Sequence, residues 1–291
     1  MLKLNRYKIN SKKITKQQKI LLIADIHLWD NYNPKIINNI IEQANKLNPD
    51  FICICGDIID QFRYLDDNKN LETLLKFLNN LAAITTTLIT LGSHDFFNLK
   101  KDKTKNIASE AIKYWHKIIK DNNNHNLILL DNEIYETNNL RIIGYTPSRD
   151  YYKNCEDSNI LINEINNYFD LPNKNHKYTI LMCHTPRRIT KNILGQFKIY
   201  STIDLILSGH MHDGLLFPIL KKLPTTIGLV SPQRTFFPKN TRNKRKFTIN
   251  NHEINLVITG GIIKFSNSAP HILQKINFLY HNDIDLIEID M

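Results

Sequence analysis

Five short stretches of this sequence combine carboxylates and imidazoles of the kind that hold divalent cations. They are Asp25-Ile26-His27, Gly56-Asp57-Ile58-Ile59-Asp60, Gly92-Ser93-His94-Asp95, Cys183-His184-Thr185-Pro186 and Gly209-His210-Met211-His212. Asp25 and His27 are two residues apart, as are His210 and His212, so an extended backbone would point both side chains of each pair the same way. The inventory is two Asp and four or more His. Such a mixture suits Mn²⁺, Fe or Zn²⁺ better than Mg²⁺ or Ca²⁺, which favour all-oxygen shells. Two such ions about 3.5–4 Å apart clamp a phosphate and activate water for in-line attack. Each motif alone has a duller explanation, since Asp after Gly is a routine turn residue. Five in chain order, each after an apolar run, outweigh it.

The elements that must position these groups follow from the apolar pattern. Ile20–Ala24, Phe51–Cys55 and Thr86–Leu91 read as buried strands, separated by helices at Pro34–Leu47, Leu71–Ile84 and Lys105–Lys120. Pro34 stands at the first turn of its helix, where its missing N–H costs nothing. This alternation predicts a mostly parallel, buried sheet. Three short strands follow at Leu127–Leu130, Glu133–Thr137 and Leu140–Gly144, then a helix at Ser158–Phe169 and a strand at Thr179–Cys183. A helix starting at Pro186 and strands at Leu205–Leu207, Asn255–Ile258 and Asp285–Ile289 complete the expected set. The motifs thus sit at the carboxyl ends of strands, where sites collect in open α/β sheets.

Composition narrows the class. The 291 residues are 42% hydrophobic and 23% charged, enough for a sizeable core, so a fibre or a disordered chain is excluded. Met1–Lys19 is polar and Lys-rich, without the apolar stretch of a signal peptide, which points to a cytoplasmic protein. The net charge of +10 would suit a polyanion. Lysines far outnumber arginines, however, and spread evenly, so nucleic acid is not the expected partner. Only Lys239–Lys246 is dense enough to be a patch. Cys53 and Cys55 read as reduced thiols sharing one face of a core strand rather than as zinc ligands.

Together the motifs resemble the calcineurin-like metallophosphoesterases, whose pattern is DxH, GDxxD, GNH followed by an acid, a lone His, and GHxH. The match runs from Asp25 to His212. The stretches Gly228–Pro232 and Thr259–Gly261 are similar to a bacterial, YkuE-like subgroup. The resemblance implies an α/β fold, specifically a four-layer α/β/β/α sandwich in one domain over 1–291. The metal motifs would fall within 25–212, a loop-rich lip within 213–250 and closing strands within 251–291. Carried over by position, Asp25, His27 and His212 would hold one ion, Asp57 would bridge, and His184 and His210 would hold the second. Two Mn²⁺ ions are the first expectation, with Fe or Zn²⁺ as alternatives. His94 would protonate the leaving oxygen, oriented by Asp95, with Asp60 in a supporting hydrogen bond. The family has Asn where Ser93 stands. Ser93 coordinates directly, or through a water, or leaves the second ion weakly held; the water is favoured.

The implied reaction is hydrolysis of a small or lipid-linked phosphomono- or diester. A nuclease and a non-catalytic scaffold on the same fold are the alternatives. Arg187 and Arg188 could grip a substrate phosphate, or be solvated residues of a helix start. Leu215–Leu223, Phe236–Pro238 and the Lys239–Lys246 patch could form a lip on an anionic membrane, or simply pack over the sheet edge.

Overall fold

The computed structural model describes residues 2–30, 32–96, 107–171, 176–216, 227–231, 235–267 and 269–291. The chain opens with β1 (Leu2–Asn10) and β2 (Gln18–Ile23). It then alternates α1 (Pro34–Leu47), β3 (Phe51–Cys55), α2 (Asn68–Ala82), β4 (Thr87–Thr90), the short α3 (Ser93–Phe96), α4 (Ile107–Asp121) and β5 (Leu127–Leu129). The second half runs β6 (Glu133–Glu136), β7 (Leu140–Tyr145), α5 (Arg149–Lys153), α6 (Ser158–Tyr168), β8 (Tyr178–Cys183), α7 (Lys191–Leu194) and β9 (Leu205–Ser208). It ends with β10 (Asn243–Ile249), β11 (His252–Ile258), α8 (His271–Gln274) and β12 (Asn282–Asp290).

Two sheets result, ordered β1-β12-β2-β3-β4-β5 and β10-β11-β9-β8-β7-β6. The runs β2-β3-β4-β5 and β11-β9-β8-β7 are parallel throughout. Strand alternation splits each sheet into two apolar faces. Ile20, Leu22, Cys53 and Cys55 point at Ile180, Met182, Leu205 and Leu207 and form the layer between the sheets. The opposite face of the first sheet, with Leu21, Ile23, Ile52 and Ile54, packs on Ile40 of α1, Leu78 of α2 and Trp115 of α4. On the second sheet Ile143, Leu181 and Ile206 pack on Ile165 of α6 and Leu194 of α7. The architecture is the expected four-layer α/β/β/α sandwich.

Capping sets where the helices begin. The Asn33 side chain accepts from the Lys35 amide ahead of α1, and Asn48 ends that helix in the left-handed region. Asp67 caps α2 three residues earlier than the apolar pattern suggests, because its carboxylate accepts from Asn70 N. The helix expected from Pro186 is absent. Residues 186–189 form a turn, and α7 starts only at Lys191, after the Thr190 side chain caps it. Two strands were not expected from the pattern. β1 is a half-exposed edge strand pairing with β12, and β10 uses the Lys-rich stretch as the edge of the second sheet. Residues 105–106 of the expected third helix, and 217–226 and 232–234 of the expected lip, lie outside the described residues. Among the described residues no helix is long and apolar enough to cross a membrane.

Candidate metal centre

Asp25, Asp57, Ser93, His184 and His210 each lie within three residues of the end of β2, β3, β4, β8 or β9, and these loops are laced together. Asp25 N donates to Gly56 O (3.1 Å) and His27 N to Asp57 O (3.0 Å), joining the first two motifs. His210 N donates to the Asp25 carboxylate at 2.9 Å, which ties the second sheet to the first. Gly92 makes room for this crossing: a Cβ there would sit 2.3 Å from Asp57 Oδ1 and 2.8 Å from the His184 ring. The site is a seam between sheets.

Three overlapping clusters gather there: Asp25, His27 and His212; His27, Asp57 and His94; Asp57, His184 and His210. Asp57 Oδ2 is 3.9 Å from His27 Nε2 and 3.1 Å from His184 Nε2, so one carboxylate serves both ends. His212 Nε2 stands 3.8 Å from Asp25 Oδ1, whereas His210 Nδ1 faces His184 Nε2 at 3.1 Å. The two His of the last motif therefore serve different clusters. The expectation of an extended backbone within each pair is corrected. Asp25, His27, Asp57, His210 and His212 all have positive φ, between 47° and 68°. Asp and His tolerate that region better than most residues, yet five such residues in one site mark backbone strain held by its surroundings.

Outer hydrogen bonds fix the rings. His184 Nδ1 bonds to Cys55 O (2.6 Å), and His212 Nδ1 to Ile263 O (2.7 Å). His210 Nε2 lies 3.0 Å from Glu156 Oε1. Each contact puts the proton on the outer nitrogen and turns the other nitrogen's lone pair inward. His27 is fully buried with neither ring nitrogen hydrogen-bonded. A buried orphan imidazole among carboxylates is what a cation site provides, so these residues fit a divalent metal. Burial holds the His212 ring down, to about 4, only partly opposed by Asp25. For His184 burial acts the same way but loses to Asp57, which lifts it to about 10.

Ser93 is half-buried at the head of α3, beside His94. The His94 amide donates to Asp57 Oδ1 (2.9 Å), while its ring Nδ1 bonds to Asp60 O (2.6 Å). The orienting role expected of Asp95 is corrected. Its carboxylate accepts from the amides of Asp57, Ile58 and Gly92 at 2.8 Å and of Ile59 at 3.1 Å, so it builds the loop instead. Asp60, whose Oδ1 is 3.6 Å from His27 Nδ1 and 3.8 Å from His94 Nδ1, lies between the two imidazoles.

Arg187 and Arg188 are turned toward the loop at 155–156. Arg188 donates to Glu156 O (2.6 Å) and Cys155 O (3.1 Å), and Arg187 Nη1 lies 3.5 Å from Glu156 Oε2. Glu156 itself escaped the sequence reading. It is buried at positive φ next to Cys155, and nothing in Asn154-Cys155-Glu156-Asp157 marks it. The strand-end loop Thr259–Lys264, of which the sequence reading takes only Thr259–Gly261 and only as a subgroup likeness, also supports the site. Ile262 N and Ile263 N donate to Ala24 O and Asp25 O, and Gly261, at φ 75°, has no room for a Cβ beside the Asp25 carboxylate. The buried Lys264 ammonium reaches Gly261 O (2.8 Å), Asp283 (2.9 Å) and Asp213 (3.3 Å).

The basic patch is largely committed to partners. Lys246 pairs with Glu253 at 2.8 Å, Lys244 donates to Lys8 O at 2.7 Å, and Arg245 stacks over Phe247.

The chain is 26% identical over 216 residues to an uncharacterized metallophosphoesterase of Helicobacter pylori, covering 74% of this chain and 50% of that protein. To one of Campylobacter jejuni it is 25% identical over 207 residues, covering 71% and 47%. The chain thus spans about half the length of these curated relatives. Among solved structures, a dimetal phosphatase from Danio rerio aligns with a TM-score of 0.43 and 12% identity, over 85% of this chain and 88% of that one. The sequence profile of the calcineurin-like phosphoesterases matches residues 18–214, which hold all five motifs, and the chain belongs to that family.

Proposed function

We propose that this chain is a metal-dependent phosphoesterase acting on a small or lipid-linked phosphomono- or diester. Asp25, His27 and His212 would hold one divalent cation, His184 and His210 a second, and Asp57 both. Mn²⁺ is the first candidate, with Fe and Zn²⁺ behind it, and Ser93 would act through a water. The observation that carries this reading is the single buried Asp57 carboxylate reaching imidazoles from both sheets. Bound there, such cations supply Lewis-acid charge and lower the pKa of water. The protein's own groups do the rest. The His94 amide pins Asp57, and the His94 ring, tied through Nδ1 to Asp60 O, keeps Nε2 for a departing oxygen. The Gly228–Pro232 and Thr259–Gly261 stretches support a place near the YkuE-like subgroup.

An aryl phosphodiester and the matching monoester, assayed with Mn²⁺ and with chelator, test the reading. Turnover should vanish on chelation. His94→Ala should cut it by about 10²–10⁴-fold with Mn²⁺ content unchanged. Chelator-insensitive turnover, or none on either ester, would overturn it, and loss of metal from the variant would remove His94 as the acid.

A further inference from the structure

A cavity of about 610 Å³ lies between the first turn of α1 and the segment 262–282. It abuts the candidate metal centre. Ile263 lines it and accepts from His212 through its carbonyl, and Trp29, two residues past His27, forms another wall. A recess of about 510 Å³ beside Asp60 shares Trp29 and Asn267 with it.

The lining sorts by chemistry. Its amides are largely consumed in holding the segment: Asn277 takes both the N–H and the C=O of Phe265, Gln274 donates to Asn267 O and Ala269 O, and Asn282 to Ile262 O. What is left to meet a ligand is the apolar wall of Trp29, Ile36, Phe265 and Tyr280, with Lys35 and Lys275 supplying charge. Phe265 and Tyr280 pack edge to face at 5.7 Å, so the wall is preformed. Such a lining suits an anionic molecule with a large apolar part, and offers little to read a nucleobase edge. The surface beside the cavity carries the same chemistry. Ile272, Phe278 and Leu279 are 74%, 80% and 45% exposed, and no carboxylate occurs from Thr259 to Asn282. Large apolar side chains beside Lys275, with Lys35 across the cavity and no acid in the segment, complement an anionic bilayer.

We infer that the segment 269–281 docks on an anionic membrane and that the cavity takes the hydrocarbon part of a phosphate-ester lipid drawn from it. The identity of that lipid as substrate rests on the hydrolase reading above; the docking does not.

The full chain is sedimented with vesicles of phosphatidylcholine alone or mixed with phosphatidylglycerol. It should partition onto the anionic vesicles and be released by salt. Lys275→Glu should lower partition roughly fivefold or more, and Phe278→Asp and Leu279→Asp should do so too, with melting curves as the fold control. A phosphatidic acid brominated on its acyl chain should quench Trp29 emission in the wild type and give no such quench in Trp29→Phe. Absent partition at low salt, or partition indifferent to all three surface variants, overturns the docking. Quenching that persists without Trp29 overturns the cavity assignment. Wild-type turnover of a soluble aryl phosphodiester separates the two readings: if it is nil while vesicle binding depends on the rim, the docking stands and the hydrolase reading falls.

Discussion

Glu156 shows how much a single side chain outside the motifs can govern. Its carboxylate is the acceptor that puts the His210 proton on Nε2 and leaves Nδ1 facing His184. Arg188 donates to the carbonyls of Cys155 and Glu156, and Arg187 to the Glu156 carboxylate, so two guanidiniums hold the left-handed backbone here. Removing the acceptor lets the ring rotate. Glu156→Ala should therefore weaken one of two Mn²⁺ binding events by about 10–100-fold, whereas Glu156→Gln, which keeps an oxygen acceptor, should stay near wild type. Calorimetric titration with Mn²⁺ reads both, and equal loss in the two variants would mean that charge rather than ring orientation matters. Nothing in the sequence announced this residue, because an acid three positions past a helix end has no periodicity to betray it. The arginines were visible, but their partner was not, so a phosphate was the natural alternative.

At the scale of elements, the Thr259–Lys264 loop does work that the five motifs leave undone. It lies beyond residue 214, where the family match ends, yet it supports Asp25 and His212 at once. Lys264 fastens it, with Asp213 and Asp283 as buried counter-charges that lift its ammonium pKa despite burial. Lys264→Met keeps the length but removes the buried ammonium that Asp213 and Asp283 share. Urea unfolding should show a loss of about 3–5 kcal/mol. A loss within error would mean the aspartates find other partners. Strand-end loops of this kind explain which parts of the fold were legible. Ile20–Ala24, Phe51–Cys55 and Thr179–Cys183 are buried on both faces, so their composition alone identified them. β1 and β10 are edge strands whose alternate residues face water, and their lysines read as polar tails. Pro186 offered a helix start, but the pull of Cys155 and Glu156 on Arg188 keeps 186–189 a turn. Local signals were reliable wherever no distant group competed with them.

The molecule as a whole is two sheets pressed together, and the candidate centre is where their loops cross. The first sheet brings Asp25, His27 and Asp57; the second brings His184, His210 and His212. Any cation bound to Asp57 and His184 together therefore joins the two halves, and unfolding must release it. Mn²⁺ at 100 times its dissociation constant would add about 2.7 kcal/mol, which for a chain of this size is roughly 4–5 °C in melting temperature. Protons compete for the same imidazoles, since only the neutral ring binds metal. With Asp57 lifting the His184 ring to about 10, the Mn²⁺-induced shift should be largest in alkaline solution and shrink as pH falls below about 10. His184→Ala should abolish much of it although the residue belongs to the second sheet alone. Melting curves with Mn²⁺ or chelator, across pH, measure all three effects. A shift that survives His184→Ala undiminished would place the cation within one sheet's loops and dissolve the argument that the site spans the seam.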